Sequence, residues 1–285
     1  MRLRSFAPAA VAAVGFVAFA LVGQPEPPTA TKMTAAAKAF LTALTPDQQK
    51  KAALGFDDKA RLAWFFTPQQ DKEKKSTRVG ARLEEMTPAQ KTAALELLKT
   101  GLSAEGFKQA TTIMSLEGLL ADLEGPKGAL TRNPAWYFVT VFGDPSSTGA
   151  WGWRFEGHHM SVNYTLDKGT VVSATPLMFG ANPARVKAGD KKGLRTLPGI
   201  EDHARKLITS LAPDQDKVAK QPTPKNYSEL EIKEGFANAG VGAPVGIAAD
   251  KLSPEQRKTL DALLRAYTER MPADLAATEA DRAAK

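Results

Sequence analysis

The chain has 285 residues, 43% of them hydrophobic, with a net charge of +7, no cysteine and only three histidines. Disulfides, thiol nucleophiles and cysteine-ligated metals are excluded, so stability must come from a packed core. Nucleic-acid reading is not expected either. The basic clusters Lys72, Lys74, Lys75, Arg78, Arg82 and Arg185, Lys187, Lys191, Lys192, Arg195 are broken by acids and glycines and carry no interleaved aromatics. Both read as solvated surface, although the second adjoins the aromatic segment described below and is the better placed to meet an anionic envelope polymer.

Met1 to Gly23 reads as a secretion signal. Arg2 and Arg4 form the positive start, Phe6 to Val22 is apolar but interrupted by Pro8 and Gly15, and Ala18, Ala20 and Gly23 supply small residues for cleavage. The expectation is export to the periplasm or beyond, with an uncleaved N-terminal membrane anchor as the alternative. Loss of Arg2 and Arg4 lowers the net charge from +7 to about +5. Residues 24–33 form a Pro-rich lead-in and 34–285 read as one domain.

A start signal recurs at Leu44-Thr45-Pro46-Asp47-Gln48, Met86-Thr87-Pro88-Ala89-Gln90, Leu211-Ala212-Pro213-Asp214-Gln215 and Leu252-Ser253-Pro254-Glu255-Gln256. In three copies a Ser or Thr can cap, Pro suits the first helical position, and Gln sits where a capping box requires it. These read as good helix starts, and their uneven spacing does not support a solenoid. Helices are predicted near 33–43, 46–54, 57–66, 88–100, 103–123, 200–211 and 254–269. The fifth carries an apolar stripe of Phe107, Ile113, Leu116, Leu119, Leu120 and Leu123, which reads as core.

Residues 136–180 alternate with period two and read as an antiparallel β meander. Glu156-Gly157 is predicted as a two-residue hairpin loop, opposing Phe155 to His158, Arg154 to His159 and Trp153 to Met160. Trp151, Trp153, Phe155, His158, Met160, Val162, Tyr164 and Leu166 then share an apolar face. Gly152, Arg154, His159, Ser161, Asn163 and Thr165 share a polar one. Asp167-Lys168-Gly169 is predicted as a three-residue loop that pairs Leu166 with Thr170, Asn163 with Ser173 and Ser161 with Thr175. With helices segregated to either side of this sheet, the fold class is α+β. A Gly- and Lys-rich loop is expected over 184–198 and a mostly irregular stretch over 221–250.

The polar face holds the candidate chemistry. His159 is the candidate general base or metal ligand, Arg154 the anion or oxyanion holder, and Ser161 the third catalytic candidate. Asn163 and Glu156 are candidates for orienting substrate, and Trp151 and Trp153 for the wall of a pocket. A cation such as Arg154 near His159 would lower its pKa, and Glu156 would raise it. His158 and His159, adjacent on a strand, point to opposite faces and are poorly placed to grip one ion together. Ser161 lies two residues from His159 and lacks a nucleophile elbow.

WYFVTVFGDPS, WGWRFEGHHMSVNYT and TPLMFGANPARV, in that order, resemble an uncharacterised group of mostly bacterial proteins catalogued as domain of unknown function 3500. The resemblance implies one exported domain and carries no activity. Members of that group continue into an aromatic strand, a His-x-His segment and an Arg-Asp tract that this chain does not show. The resemblance thus raises the expectation that the sequence is shortened. His158 or His159 would then take a divalent metal with partners supplied by that segment. Two functions follow: a hydrolase-like or metal-assisted enzyme with a polar pocket over the meander, or a non-catalytic envelope module binding a small molecule or anionic polymer. A third reading makes the polar face a seat for overlying loops.

Overall fold

A computed structural model describes residues 28–220 and 245–284. Met1–Gly23, residues 24–27 of the lead-in and residues 221–244 lie outside the described residues, and the rest of the lead-in enters the first helix. In chain order come helices α1 (Thr29–Ala43) and α2 (Pro46–Ala52) and strands β1 (Ala53–Leu54) and β2 (Ala81–Arg82). Helices α3 (Pro88–Thr100) and α4 (Ala104–Glu124) precede strands β3 (Tyr137–Phe142), β4 (Trp151–Gly157), β5 (Met160–Asp167), β6 (Thr170–Ser173) and β7 (Leu177–Phe179). Helices α5 (Pro198–Thr209), α6 (Pro213–Ala219), α7 (Pro254–Thr268) and α8 (Ala273–Ala283) complete the α+β fold. The sheet runs β1-β3-β4-β5-β6, with β2 also on β3 and β7 also on β5; β1 is parallel to β3 and the other pairs are antiparallel.

The apolar face of the meander packs on α1, α3 and α4. Trp151, Trp153, Phe155, Val162, Tyr164 and Leu166 join Met33, Phe40, Leu97, Leu98 and Ile113 in one core. Gly101, which ends α3, permits the closest approach. A Cβ there would lie 2.6 Å from the Tyr164 ring and 2.8 Å from Trp153, and the Tyr164 hydroxyl donates to the Gly101 carbonyl at 2.6 Å. The stripe on α4 divides: Ile113, Leu116 and Leu120 are buried, whereas Leu123 is 65% exposed.

The four start signals meet in pairs. The amides of Gln48 and Gln90 bond reciprocally at 2.8 and 3.3 Å, and Gln90 also donates to the Ala43 carbonyl that ends α1. Gln215 and Gln256 repeat this at 2.9 and 3.1 Å, with Gln256 donating to the Ser210 carbonyl after α5. The pairs α1–α3 and α5–α7 are therefore built to one plan. Each glutamine accepts from the N–H of its own cap residue and reaches across to its partner. Ala212 has no side-chain oxygen, so only its backbone N–H is met, by Gln215 at 2.9 Å.

Three predictions need correction. Residues 57–66 form only a short 3₁₀ turn (Lys59–Arg61), because their backbone groups bond to buried ions of the sheet instead of to one another. The hairpin turns at His158-His159, not at Glu156-Gly157: Gly157 pairs with Met160, Glu156 with Ser161, Arg154 with Asn163 and Trp153 with Tyr164. His159 occupies the left-handed region (φ 59°), and the turn is tied by Tyr137 hydroxyl to His158 carbonyl (2.8 Å) and His159 N–H to Phe66 carbonyl (2.7 Å). Because the turn moved by two residues, an even number, the strand faces remain as predicted while both histidines leave them. The next turn uses Lys168 and Gly169 alone, both left-handed, as a two-residue loop demands. It pairs Asp167 with Thr170 and Thr165 with Ser173, and Ser161 pairs with Met178.

Candidate functional site

The polar face is a closed layer. Segment 55–80 lies across it, and Arg154, Glu156, Ser161 and Thr140 are each at most 2% exposed. Glu156 is the centre. Its Oε1 lies 3.0 Å from Arg78 Nη1, and its Oε2 lies 3.6 Å from Arg154 Nε. Oε2 also accepts from Phe65 N–H and from the Ser161 hydroxyl, each at 3.1 Å. Arg154 donates to the carbonyls of Ala60 (2.9 Å) and Ala63, and Arg78 to those of Phe65 (2.9 Å) and Thr67. Asn163 donates to Ser161 Oγ at 3.0 Å and to the Pro176 carbonyl at 2.8 Å. Two cations and one anion thus share a buried layer, with carbonyls accepting from the Nη groups of both guanidiniums. Burial works against the charge on Arg154 and lowers its pKa, while Glu156 opposes that shift.

The hairpin end is different. His158 Nδ1 contacts Glu117 Oε1 from α4 and lies 3.3 Å from Arg132 Nη1. Arg132 grips Glu124 with two bonds of 2.8 and 3.0 Å, which hold that carboxyl below its usual range. In the tautomer that turns Nδ1–H towards Glu117, Nε2 of His158 keeps a lone pair. His158, Glu117 and Arg78 line a cleft of about 20 Å³ with Gln70, Ser76 and Trp136, room for about one water molecule. The His158 and His159 rings are 4.0 Å apart between centroids. Burial lowers the His159 pKa to about 4, and the nearby His158 and Arg132 act in the same direction. Neither Arg154 nor Glu156, the two groups weighed for this role, sets it: they face Asn163 and Ser161 on β5.

The predicted residues therefore separate. Arg154, Glu156, Ser161 and Asn163 lie together in the closed layer. Trp151 and Trp153, at 0% and 1% exposure, lie in the core on the opposite face. His158 and His159 form the turn. Among the described residues no three His, Asp or Glu side chains group as a metal site would need. Arg195, in the second basic cluster, is engaged by Glu201 and Asp202 at 2.8 and 2.6 Å. Sequence reading missed Arg78, Glu117 and Arg132. Glu117 left one signal, an acid inside the Ile113–Leu116–Leu120 stripe; Arg78 was placed on the surface and is 2% exposed along its side chain.

A family model described as "Protein of unknown function (DUF3500)" matches residues 26–285. The chain is a DUF3500 protein. No curated protein and no solved structure matches it. The segments that carried the resemblance, WYFVTVFGDPS, WGWRFEGHHMSVNYT and TPLMFGANPARV, hold β3, β4, the histidine turn, most of β5, and β7 of this DUF3500 chain.

Proposed function

We propose that this DUF3500 protein is an exported, non-catalytic module that meets a small ligand at the histidine turn. One observation carries the reading. The groups a hydrolase would use on the polar face, Arg154, Glu156 and Ser161, spend their polar atoms on one another and on segment 55–80. The chemistry that borders open space is the His158–Glu117 pair, with Arg78 and Gln70 beside it. The same pair favours a second reading. A carboxylate on Nδ1 makes Nε2 a competent base for a water-sized occupant, so water-activating hydrolysis is the rival. Export rests on the sequence of Met1 to Gly23.

Two assays separate the readings. The module is expected to leave p-nitrophenyl acetate and p-nitrophenyl phosphate at the buffer rate. It is also expected to shift the His158 ring resonances when titrated with acetate, one carboxylate oxygen of which matches the water-sized cleft, and to lose those shifts in Glu117→Gln. Turnover that disappears in both His158→Gln and Glu117→Gln, with the melting temperature kept, would establish the hydrolase instead. N-terminal sequencing of the protein from the producing cell tests export; a chain still beginning at Met1 would support the anchor.

A further inference from the structure

A cavity of about 350 Å³ lies between the first turns of α4 and α5 and the end of α7, and it shares no lining residue with the cleft at the histidine turn. Arg270 lines it and is 2% exposed. Its guanidinium sits 4.9 Å from the Phe179 ring and 5.1 Å from the Tyr267 ring, and its Nε and Nη2 have no hydrogen-bond partner among the described residues. A buried cation is ordinarily paired with an anion, because leaving water costs it several kcal/mol. Arg270 differs in this from buried Arg78 and Arg154, which share Glu156. Burial draws the Arg270 pKa down to about 10, with no carboxylate acting against the shift, so the side chain remains charged at neutral pH.

Two neighbours agree with an anionic occupant that also carries a donor. Helix α5 begins with Leu197 at its cap position, which has no side-chain oxygen, and Gly199 and Ile200 of its first turn line the cavity. Uncapped N–H groups and the positive end of the helix dipole favour an anion there. Gln109 Oε1 is buried in the same wall with no donor, and its amide nitrogen reaches only Glu105, at 3.4 Å. Arg270 is anchored, since Ser103 N–H donates to its carbonyl at 2.7 Å and the Ser103 hydroxyl to the Glu269 carbonyl at 2.7 Å. The remaining walls are apolar at Leu197, Ala262 and Ala266, with Glu105, Glu269 and His203 also bordering the space.

We propose that this cavity binds a small carboxylate bearing an amine or hydroxyl and a short apolar side chain. The carboxylate faces Arg270 and the first turn of α5, the donor faces Gln109, and the acids Glu105 and Glu269 select against anions of higher charge. The proposal does not depend on the reading of the histidine turn.

Isothermal titration of the full-length protein at pH 7 with L-leucine, L-lactate, acetate and sulfate tests it. L-leucine or L-lactate is expected to saturate one site with a Kd below about 1 mM, at least about tenfold tighter than acetate or sulfate. Binding should weaken about tenfold or more in Arg270→Met and in Gln109→Ala, vanish in the cavity-filling Ala266→Phe, and persist in His158→Gln. Arg270→Met alone does not decide the matter, because Arg270 also packs on two aromatic rings; Ala266→Phe leaves that packing in place. Failure of both L-leucine and L-lactate to bind with a Kd below about 1 mM would overturn the proposal. Sulfate binding as tightly as either, or binding that survives Ala266→Phe, would also overturn it.

Discussion

Glu156→Gln is the substitution that tests the closed polar layer most directly. The change keeps shape and removes one charge. Every neighbour of the carboxylate is a donor: Arg78 at 3.0 Å, Arg154 at 3.6 Å, and Phe65 N–H and Ser161 O–H at 3.1 Å. A glutamine amide nitrogen would face donors only, and two guanidinium groups would remain in a layer at most 2% exposed with no counter-ion. Breaking a buried pair by removing one partner costs about 3–5 kcal/mol, whereas an exposed pair is worth less than about 1 kcal/mol. At about 2–4 °C per kcal/mol for a chain of this size, the expected fall in Tm is roughly 6–20 °C. Urea unfolding followed by tryptophan fluorescence reads the same loss, since Trp151 and Trp153 lie in the core behind the layer. A loss under about 1 kcal/mol would mean that the layer is hydrated and open, and the case against catalysis there would fail.

His159 supplies a pH prediction. Its folded pKa of about 4 lies below the ordinary 6.5, so between those values the unfolded chain binds the extra proton. Its contribution is complete above pH 6.5 and fades as pH falls towards 4, amounting to at most about 3 kcal/mol. Comparing wild type with His159→Gln at pH 7 and pH 4.5 checks this. A His159 ring that titrates near 6.5 by NMR would contradict it. Gly101→Ala should destabilise by about 1–3 kcal/mol, because its Cβ would overlap the Tyr164 and Trp153 rings at 2.6 and 2.8 Å. A neutral result would show that these rings can move away.

The sequence by itself determined the helix starts, the meander and its two faces. Thr45, Thr87 and Ser253 with Gln three residues on are local hydrogen-bonding chemistry, and they cap helices wherever the chain goes. Alternation along β4 and β5 is likewise local, and it survived an error in the turn because that error was even. Tertiary structure decided the rest. Gly157 resembles a turn glycine, yet it stays in the strand so that the Tyr137 ring can lie against it, and the turn passes to His158-His159. Residues 57–66 have helical character, but Arg154 and Glu156 take up their carbonyls and an N–H, so only one 3₁₀ turn survives. Arg78, Glu117 and Arg270 gain their roles from partners, or from the lack of one, far away along the chain. No local pattern encodes whether a charge reaches water, because burial is settled by which segments pack over it.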